Sequence, residues 1–288
     1  RIATQNAKNV ILQKIREEER KVLYDQYYGM EKEVVTGIVQ RVMGKNVSVN
    51  LGKADGILSE NEQVKGEEFE PTERIKVYIL EVKDTPKGPR ILLSRTHPGL
   101  VKRLFESEVA EVKDGTVEIK SIAREAGSRT KIAVWSNDPD VDPVGACVGM
   151  NGARVNSIVE ELRGEKIDII NWDENPAILI ENALSPAKVI AVMADPDEKT
   201  ALVVVPDYQL SLAIGKEGQN ARLAARLTGF KIDIKSETQA RESGELYDYD
   251  DEDEYYDEEE YSEEGAVESE ETETEETEEV SEETTVEE

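Results

Sequence analysis

The sequence has few of the side chains that enzymes use for chemistry. Among its 288 residues it contains one cysteine, Cys147, one histidine, His97, and no G-x-x-x-x-G-K-[ST] phosphate-binding loop. A single cysteine excludes an intramolecular disulfide and fits a reducing compartment. Nucleophilic and phosphoryl-transfer catalysis would lack their usual residues. We therefore expect a protein that is not an enzyme and that needs neither a metal nor another cofactor.

Long hydrophobic runs are also missing from the sequence. No stretch approaches the roughly 18 apolar residues of a membrane helix, and the N-terminus carries no secretory signal. We therefore expect a cytoplasmic chain without a membrane partner. The first residue is Arg1 rather than methionine, which suggests that an upstream part of the natural chain is missing.

Basic residues are absent from the C-terminal part of the chain. Residues 242–288 hold 26 acidic residues and no lysine or arginine. The other 241 residues carry 38 acidic and 35 basic residues, a net charge of −3 against −29 for the whole chain. A segment so poor in aliphatic residues cannot bury enough apolar surface to offset its ordering entropy. We predict a disordered acidic tail over 241–288 that solubilises the chain, competes with RNA as a nucleic-acid mimic, or binds a partner.

The first hundred residues contain two different patterns. Residues 1–29 keep a helical period of apolar positions and predict one long helix, the linker at the end of an absent domain. Residues 30–97 hold five short runs of β-branched residues, divided by turn residues such as Gly44 and Asn46. Such spacing predicts a small all-β barrel of the OB-fold class.

Residues 98–240 alternate helix and strand signals, and the alternation runs twice. The sequence CVGMNG at 147–152 is matched by AIGKEG at 213–218, and KIDI at 166–169 recurs at 231–234. One G-x-x-G is common by chance, whereas two in the same helix–loop–helix–strand context are specific. We predict two α+β domains, 98–174 and 175–240. Their short link at 172–176 should make them one rigid platform, on which two modest sites reinforce each other.

The two G-x-x-G loops, 149–152 and 215–218, predict contact with a phosphate backbone. Glycines three residues apart let the chain turn sharply and bring its N–H groups close to a ligand. The helix that follows each loop presents its N-terminus, which favours an anion. In KH domains such a loop clamps about four nucleotides and lays their bases against an apolar groove. We call 149–152 the first loop and 215–218 the second loop.

These motifs together resemble a known family. The residues CVGMNGARV at 147–155, AIGKEGQNARLA at 213–224 and LLSR at 92–95 are similar to the NusA family of bacterial transcription elongation, termination and antitermination factors. The resemblance covers residues 1–240 and implies an OB barrel followed by two KH domains of the prokaryotic type. It implies that nascent single-stranded RNA is bound while a separate N-terminal domain docks on RNA polymerase. It also implies antitermination factors and ribosomal proteins as further partners of a monomeric chain.

Candidate RNA contacts follow from the two loops. Lys216 adds a positive charge inside the second loop, whereas the first loop has none and Arg154 is its nearest replacement. Arg222 and Arg226 lie four residues apart, so they share one helix face and either follow the phosphates or are ordinary solvated charges. The full set of candidates in the two KH domains is Gly149, Met150, Asn151, Gly152, Arg154, Gly215, Lys216, Glu217, Gly218, Arg222 and Arg226.

The barrel is a poorer candidate for reading RNA. Such barrels usually stack bases on aromatic side chains, yet residues 29–97 contain only Phe69 and Tyr78. The basic residues Arg41, Lys45, Arg74 and Arg95 remain available for phosphate contacts, so we expect the barrel to contribute mainly charge and rigid spacing. We expect His97 to be a packing residue at the junction and Cys147 to be a core thiol.

Three functions are compatible with these patterns. The first is a transcription factor that grips nascent RNA while it is docked on polymerase. The second is a general or ribosome-associated RNA-binding protein with the same modules. The third is a protein–protein scaffold whose loops bind no RNA.

Overall fold

A long helix leads into the fold. The computed structural model describes residues 2–244, with side chains from residue 5 onward. Helix α1 (Ile2–Tyr28) confirms the predicted N-terminal helix. Its last turns pack on the barrel, where Tyr27 is buried and its hydroxyl donates to the carbonyl oxygen of Leu51 over 3.1 Å. Neither α1 nor any other helix within residues 2–244 is both long and apolar enough to cross a membrane.

Five strands then close into a barrel, which confirms the predicted OB-type fold. They are β1 (Val34–Met43), β2 (Asn46–Asn50), β3 (Asp55–Leu58), β4 (Arg74–Lys83) and β5 (Arg90–Ser94). The order around the barrel is β1-β2-β3-β5-β4, with β3 and β5 parallel and the other pairs antiparallel. At Gly56 a Cβ atom would lie 2.5 Å from Cδ1 of Leu93. A larger residue at this position would therefore clash with the buried Leu93 side chain of β5.

The first α+β module follows the barrel directly. It consists of α2 (Pro98–Glu108), α3 (Ala110–Lys113), β6 (Val117–Glu125), β7 (Arg129–Ser136), α4 (Pro143–Val148), α5 (Ala153–Glu161) and β8 (Lys166–Asn171). The sheet order is β6-β7-β8, with β7 and β8 parallel. Apolar positions of α2 and α5, such as Phe105 and Ile158, pack on Ile132 and Val134 of β7. Asp142 caps α4 by accepting from the N–H groups of residues 144 and 145.

The second α+β module repeats this arrangement. It consists of α6 (Pro176–Ala183), β9 (Ala191–Asp195), β10 (Thr200–Val205), α7 (Leu210–Ile214), α8 (Gln219–Thr228), β11 (Lys231–Ser236) and α9 (Glu237–Glu242). Strand β9 begins two residues after the start of the apolar run at 189–193. Helix α9 begins at a capping box formed by Ser236 and Gln239 and extends to Glu242, so it crosses the predicted start of the tail at residue 241. The rest of the predicted tail, from residue 245, lies outside the described residues.

The two α+β modules share a hydrophobic core. One face of the β6-β7-β8 sheet packs on its own helices, and the other face packs on α6 and α8 of the second module. On that second face, Ala123, Ala133 and Ile170 join Ile180 and Leu223 in one buried cluster. Separating the modules would expose this apolar surface to water, so the packing opposes their separation.

Arg95 joins the barrel to the first α+β module. Its guanidinium forms three hydrogen bonds to the Glu67 carboxylate, at 3.1, 2.8 and 2.7 Å, and donates to the carbonyl oxygens of Lys76 and Glu161. Arg95 is 1% exposed, and the Glu67 side chain is 5% exposed. The prediction that Arg95 contacts phosphates is therefore wrong for this structure, because the side chain has no access to solvent and its N–H groups are already bonded within the fold.

This burial predicts a large effect of Arg95→Met on stability. The substitution leaves the Glu67 carboxylate buried without its counter-charge, a change that typically costs about 3–5 kcal/mol. Urea unfolding of the whole chain measures the loss. The control is Arg41→Met on an exposed position of β1, which we expect to change stability by less than about 0.5 kcal/mol. Equal effects of the two substitutions would contradict the structural role of Arg95.

Candidate nucleic-acid interface

The first and second loops adopt the same backbone conformation although their central residues differ. Each loop begins with a glycine at positive φ and extended ψ. The third and fourth residues of each loop are also at positive φ. Such angles are strained for most side chains, which explains the glycines at both ends. The first glycines have φ and ψ angles of 73° and 175° (Gly149) and 76° and 174° (Gly215). The third residues have 53° and 27° (Asn151) and 54° and 25° (Glu217). The last glycines have 75° and 13° (Gly152) and 74° and 17° (Gly218).

The two glycines of each loop meet different surroundings. A Cβ atom on Gly149 would lie 2.8 Å from Cγ of Arg154, and one on Gly215 would lie 2.9 Å from the backbone nitrogen of Asn220. At Gly218 a Cβ atom would meet no atom of the described residues within 4 Å. The first glycine of each loop is therefore required by the fold, whereas the last glycine of the second loop faces open space that a ligand can enter.

Arg154 and Asn220 have the same structural role in the two copies. Arg154 Nη1 donates to the carbonyl oxygen of Ala146 and to the carboxylate of Glu111, over 2.7 and 2.9 Å. Asn220 Nδ2 donates to the carbonyl oxygen of Ala213 over 3.0 Å. Each side chain thus ties the helix after the loop to the helix before it. The sequence predicts that Arg154 replaces the missing lysine of the first loop, but in the structure its Nη1 already donates to two partners within the fold.

Exposed side chains occupy the tips of both loops. Met150 in the first loop is 87% exposed, and Asn151 beside it is also exposed. Lys216 and Glu217 are exposed at the matching positions of the second loop. The first loop thus presents an apolar and a neutral polar side chain, and the second presents one charge of each sign. These tips carry no net charge, so a phosphate would meet mainly the backbone dipoles.

Arg222 and Arg226 lie on one face of α8, as their spacing predicts. Both reach the carboxylate of Glu125 at the end of β6. The face is therefore turned toward the first α+β module rather than wholly toward solvent, although the Arg222 side chain is still 43% exposed. Glu125 lies 97 residues before Arg222, and no motif in the sequence links the two, so the prediction missed this carboxylate.

The remaining predicted residues divide between surface and core. Arg41 and Lys45 are exposed on the barrel, and Lys45 forms an exposed ion pair with Glu60 at 2.9 Å. His97 caps α2 and stacks on Tyr78 with ring centroids 4.7 Å apart. The expectation of a packing residue at this junction is therefore confirmed.

Cys147 is a core thiol, as predicted. The residue is fully buried in the last turn of α4, two residues before the first loop. Burial raises the pKa of the thiol to about 11, which keeps it protonated at neutral pH. Since the thiolate is the nucleophilic form, this environment disfavours reactivity.

Sequence comparisons agree with this architecture. The S1 RNA binding domain profile matches residues 29–94, the NusA-like first KH domain matches 95–172, and the NusA-like second KH domain matches 176–242. The transcription termination/antitermination protein NusA of Mycobacterium bovis is 49% identical over 246 residues, which span 82% of this chain and 71% of that one. The chain belongs to the NusA family.

Two further NusA proteins are more similar in sequence. That of Bacillus subtilis is 61% identical over 244 residues, which are 85% of this chain and 66% of that one. That of Halalkalibacterium halodurans is 58% identical over 248 residues, which are 86% of this chain and 65% of that one. The chain thus spans slightly less than two thirds of the length of these two NusA proteins.

The loop geometry predicts unequal costs for two alanine substitutions in the second KH domain. Gly218→Ala places a Cβ in a left-handed conformation with free space around it, at a cost of about 1–2 kcal/mol. Gly215→Ala adds a contact with the backbone of Asn220 in a region essentially restricted to glycine, and should cost at least about 1 kcal/mol more. Urea unfolding of both variants tests this order. Equal losses would show that the contact at Gly215 relaxes.

A buried ion pair in the first KH domain predicts a pH dependence. Burial opposes ionisation of Glu165, but hydrogen bonds and charge from Arg124, with bonds from Thr130 and Gly127, outweigh it and lower the pKa below 4.5. A lowered folded-state pKa stabilises the fold above pH 4.5, and this contribution is lost as the pH falls through the folded value. The stability lost in Glu165→Gln should therefore be largest at neutral pH and shrink on acidification.

The measurement is the urea midpoint of wild type and Glu165→Gln from neutral pH down to below pH 4.5. Glu60→Gln, at an exposed ion pair, is the control and should differ little from wild type at any pH. A Glu165→Gln deficit that stays constant down to acid pH would contradict the assigned charge state.

Proposed function

We propose that this chain binds single-stranded RNA through both KH loops and acts, as part of a longer NusA protein, in transcriptional pausing, termination and antitermination. The observation that carries the proposal is the pair of loops with the same conformation, in two modules that share one core. One such loop is a weak site for an RNA backbone. Two at a spacing set by packing raise the effective concentration for the second contact.

The loop chemistry favours a phosphate backbone over a protein partner. In each loop the glycines keep Cβ atoms away from the backbone, and a helix N-terminus follows at once. Phosphate oxygens accept from such N–H groups, and the helix dipole stabilises the negative charge. Lys216, Arg222 and Arg226 place positive charge near the second loop. Arg41 and Lys45 supply charge on the barrel.

Family membership supports a proposal for the partners and the location. We propose that the RNA is nascent transcript and that RNA polymerase is contacted mainly through parts of the longer protein outside this chain. Other antitermination factors and ribosomal proteins are further proposed partners of a cytoplasmic monomer. Co-purification of the full-length protein with polymerase distinguishes this function from general or ribosome-associated RNA binding.

Binding to a short unstructured RNA, measured by fluorescence anisotropy across a salt series, tests the RNA part of the proposal. Gly152→Asp and Gly218→Asp each place a negative charge where a phosphate would lie, and each should lower affinity about tenfold or more. The matched controls are Gly152→Asn and Gly218→Asn, because asparagine tolerates the left-handed conformation and adds the same volume without charge.

The two kinds of substitution separate charge from shape. A much larger loss for aspartate than for asparagine supports backbone clamping by the loops. The dependence of affinity on salt should also be steep, with a logarithmic slope of about 0.7 for each phosphate contact. If the wild-type chain binds no RNA at any salt concentration, the loops are structural and the scaffold function replaces this proposal.

A further inference from the structure

The hairpin that connects β6 and β7 in the first KH domain touches all three folded modules. Its glycine, Gly127, packs so closely on Val64 of the barrel that a Cβ atom would lie 2.3 Å from Cγ1 of that valine. At its base, Arg124 and Glu165 form a buried ion pair, and Gly127 N–H also donates to Glu165 over 2.8 Å. The hairpin is therefore held in place by contacts with the barrel and with its own domain, in addition to its contacts with the second KH domain.

The other side of this hairpin holds the start of α8. Glu125 accepts hydrogen bonds from Gln219 Nε2, over 2.8 Å, and from both Nε and Nη2 of Arg222. Ser128 accepts a second bond from Gln219 Nε2 over 2.7 Å. Arg226 approaches the same carboxylate to 3.8 Å. Hydrogen bonds from Arg222 lower the pKa of Glu125, so the carboxylate is ionised at neutral pH.

Arg222 connects this contact to the second loop itself. Its Nη1 donates to the carbonyl oxygen of Glu217, in the centre of the loop, over 3.2 Å. Three of the five guanidinium N–H groups are therefore used, two on Glu125 and one on the loop. The remaining N–H groups belong to a side chain that is 43% exposed, so a phosphate at the loop can still be bound.

Among the residues that the structure describes, the first loop has no equivalent contact. The residue that corresponds to Arg222 in the first copy is Asn156, which follows Asn151 by the same five positions. The Arg222 contact thus couples the second loop to the first KH domain, and the first copy has no arginine at the matching position to do the same.

We propose that Glu125 of the first KH domain is a positioning residue for RNA binding by the second loop. Its carboxylate holds the plane of the Arg222 guanidinium beside the loop, so that a phosphate meets an oriented donor instead of a freely rotating side chain. The inference rests on the proposed RNA-binding function and adds that the second loop depends on the hairpin of the first domain. The opposite role, a carboxylate that competes with phosphate for Arg222, is an outcome that the test can detect.

The test is a double-mutant cycle in the whole chain, with RNA affinity measured by anisotropy. The variants are Glu125→Ala, Arg222→Ala and the double substitution, each checked by thermal unfolding. The control is Glu118→Ala. Glu118 lies on the same strand as Glu125, but its carboxylate bonds to Lys120 and Asn137 and not to α8. Gly218→Asp serves as the variant without a functional second loop.

The expected result is a loss of about fivefold in RNA affinity for Glu125→Ala when Arg222 is present, and no more than about twofold when Arg222 is alanine. Glu118→Ala should bind RNA like the wild type. A gain in affinity for Glu125→Ala, with a steeper salt dependence, would overturn the proposal in favour of the competitor role.

Two other results would also reject the proposal. An unchanged affinity for Glu125→Ala would show that the orientation of Arg222 does not matter for RNA. An equal loss in both backgrounds would show that Glu125 acts through the fold and not through Arg222. If the wild-type chain itself binds no RNA, the proposed function fails first and this inference fails with it, which is distinguishable from either result.

Discussion

Burial of strand β7 on both faces is the constraint on which the arrangement of the KH domains depends. Ile132 and Val134 face the helices of their own domain, while Ala133 faces the second domain. Lys131, on the same side as Ala133, is also buried and donates to the carbonyl oxygen of Ser185 over 2.8 Å. Small side chains and one satisfied lysine let α6 and α8 approach this face. The second domain is therefore held by its packing on the sheet of the first domain and not by a flexible link.

The junction with the barrel contains a buried charge network, whereas the centre of the KH–KH junction is the apolar cluster on β7 and α8. Arg95 lies at the centre of this junction, and its hydrogen bonds are made to other residues of the protein. Nearby, Arg163 lies over the ring of Phe69. Buried charges of this kind are strongly unfavourable when one partner is lost, so they specify one orientation more than they add stability. The two junctions meet at the β6–β7 hairpin, which packs on Val64 and also holds Arg222.

The G-x-x-G loops show how different sequences reach one conformation. Met150 and Asn151 occupy the positions of Lys216 and Glu217, yet the backbone angles agree within a few degrees. The glycines allow the left-handed angles, and a side chain two residues past the loop bonds back to the preceding helix in both copies. The backbone geometry is thus shared, while the exposed side chains differ in charge and polarity.

The sequence by itself determined the barrel, the two α+β repeats and the position of both loops. These depend on apolar periodicity and on glycines at fixed spacing, which are local properties of the chain. It also placed Arg222 and Arg226 on one helix face, because that needs only the helical repeat.

Only the tertiary structure decided which charged side chains remain exposed and which form contacts within the fold. Arg95 and Arg41 are both arginines of barrel strands or their ends, yet one is buried against Glu67 and the other is exposed. Glu125 and Arg222 lie 97 residues apart and meet through domain packing. Local patterns carry no information on such pairs, because the partner of a charge is fixed by the packing of distant elements and not by its neighbours in sequence.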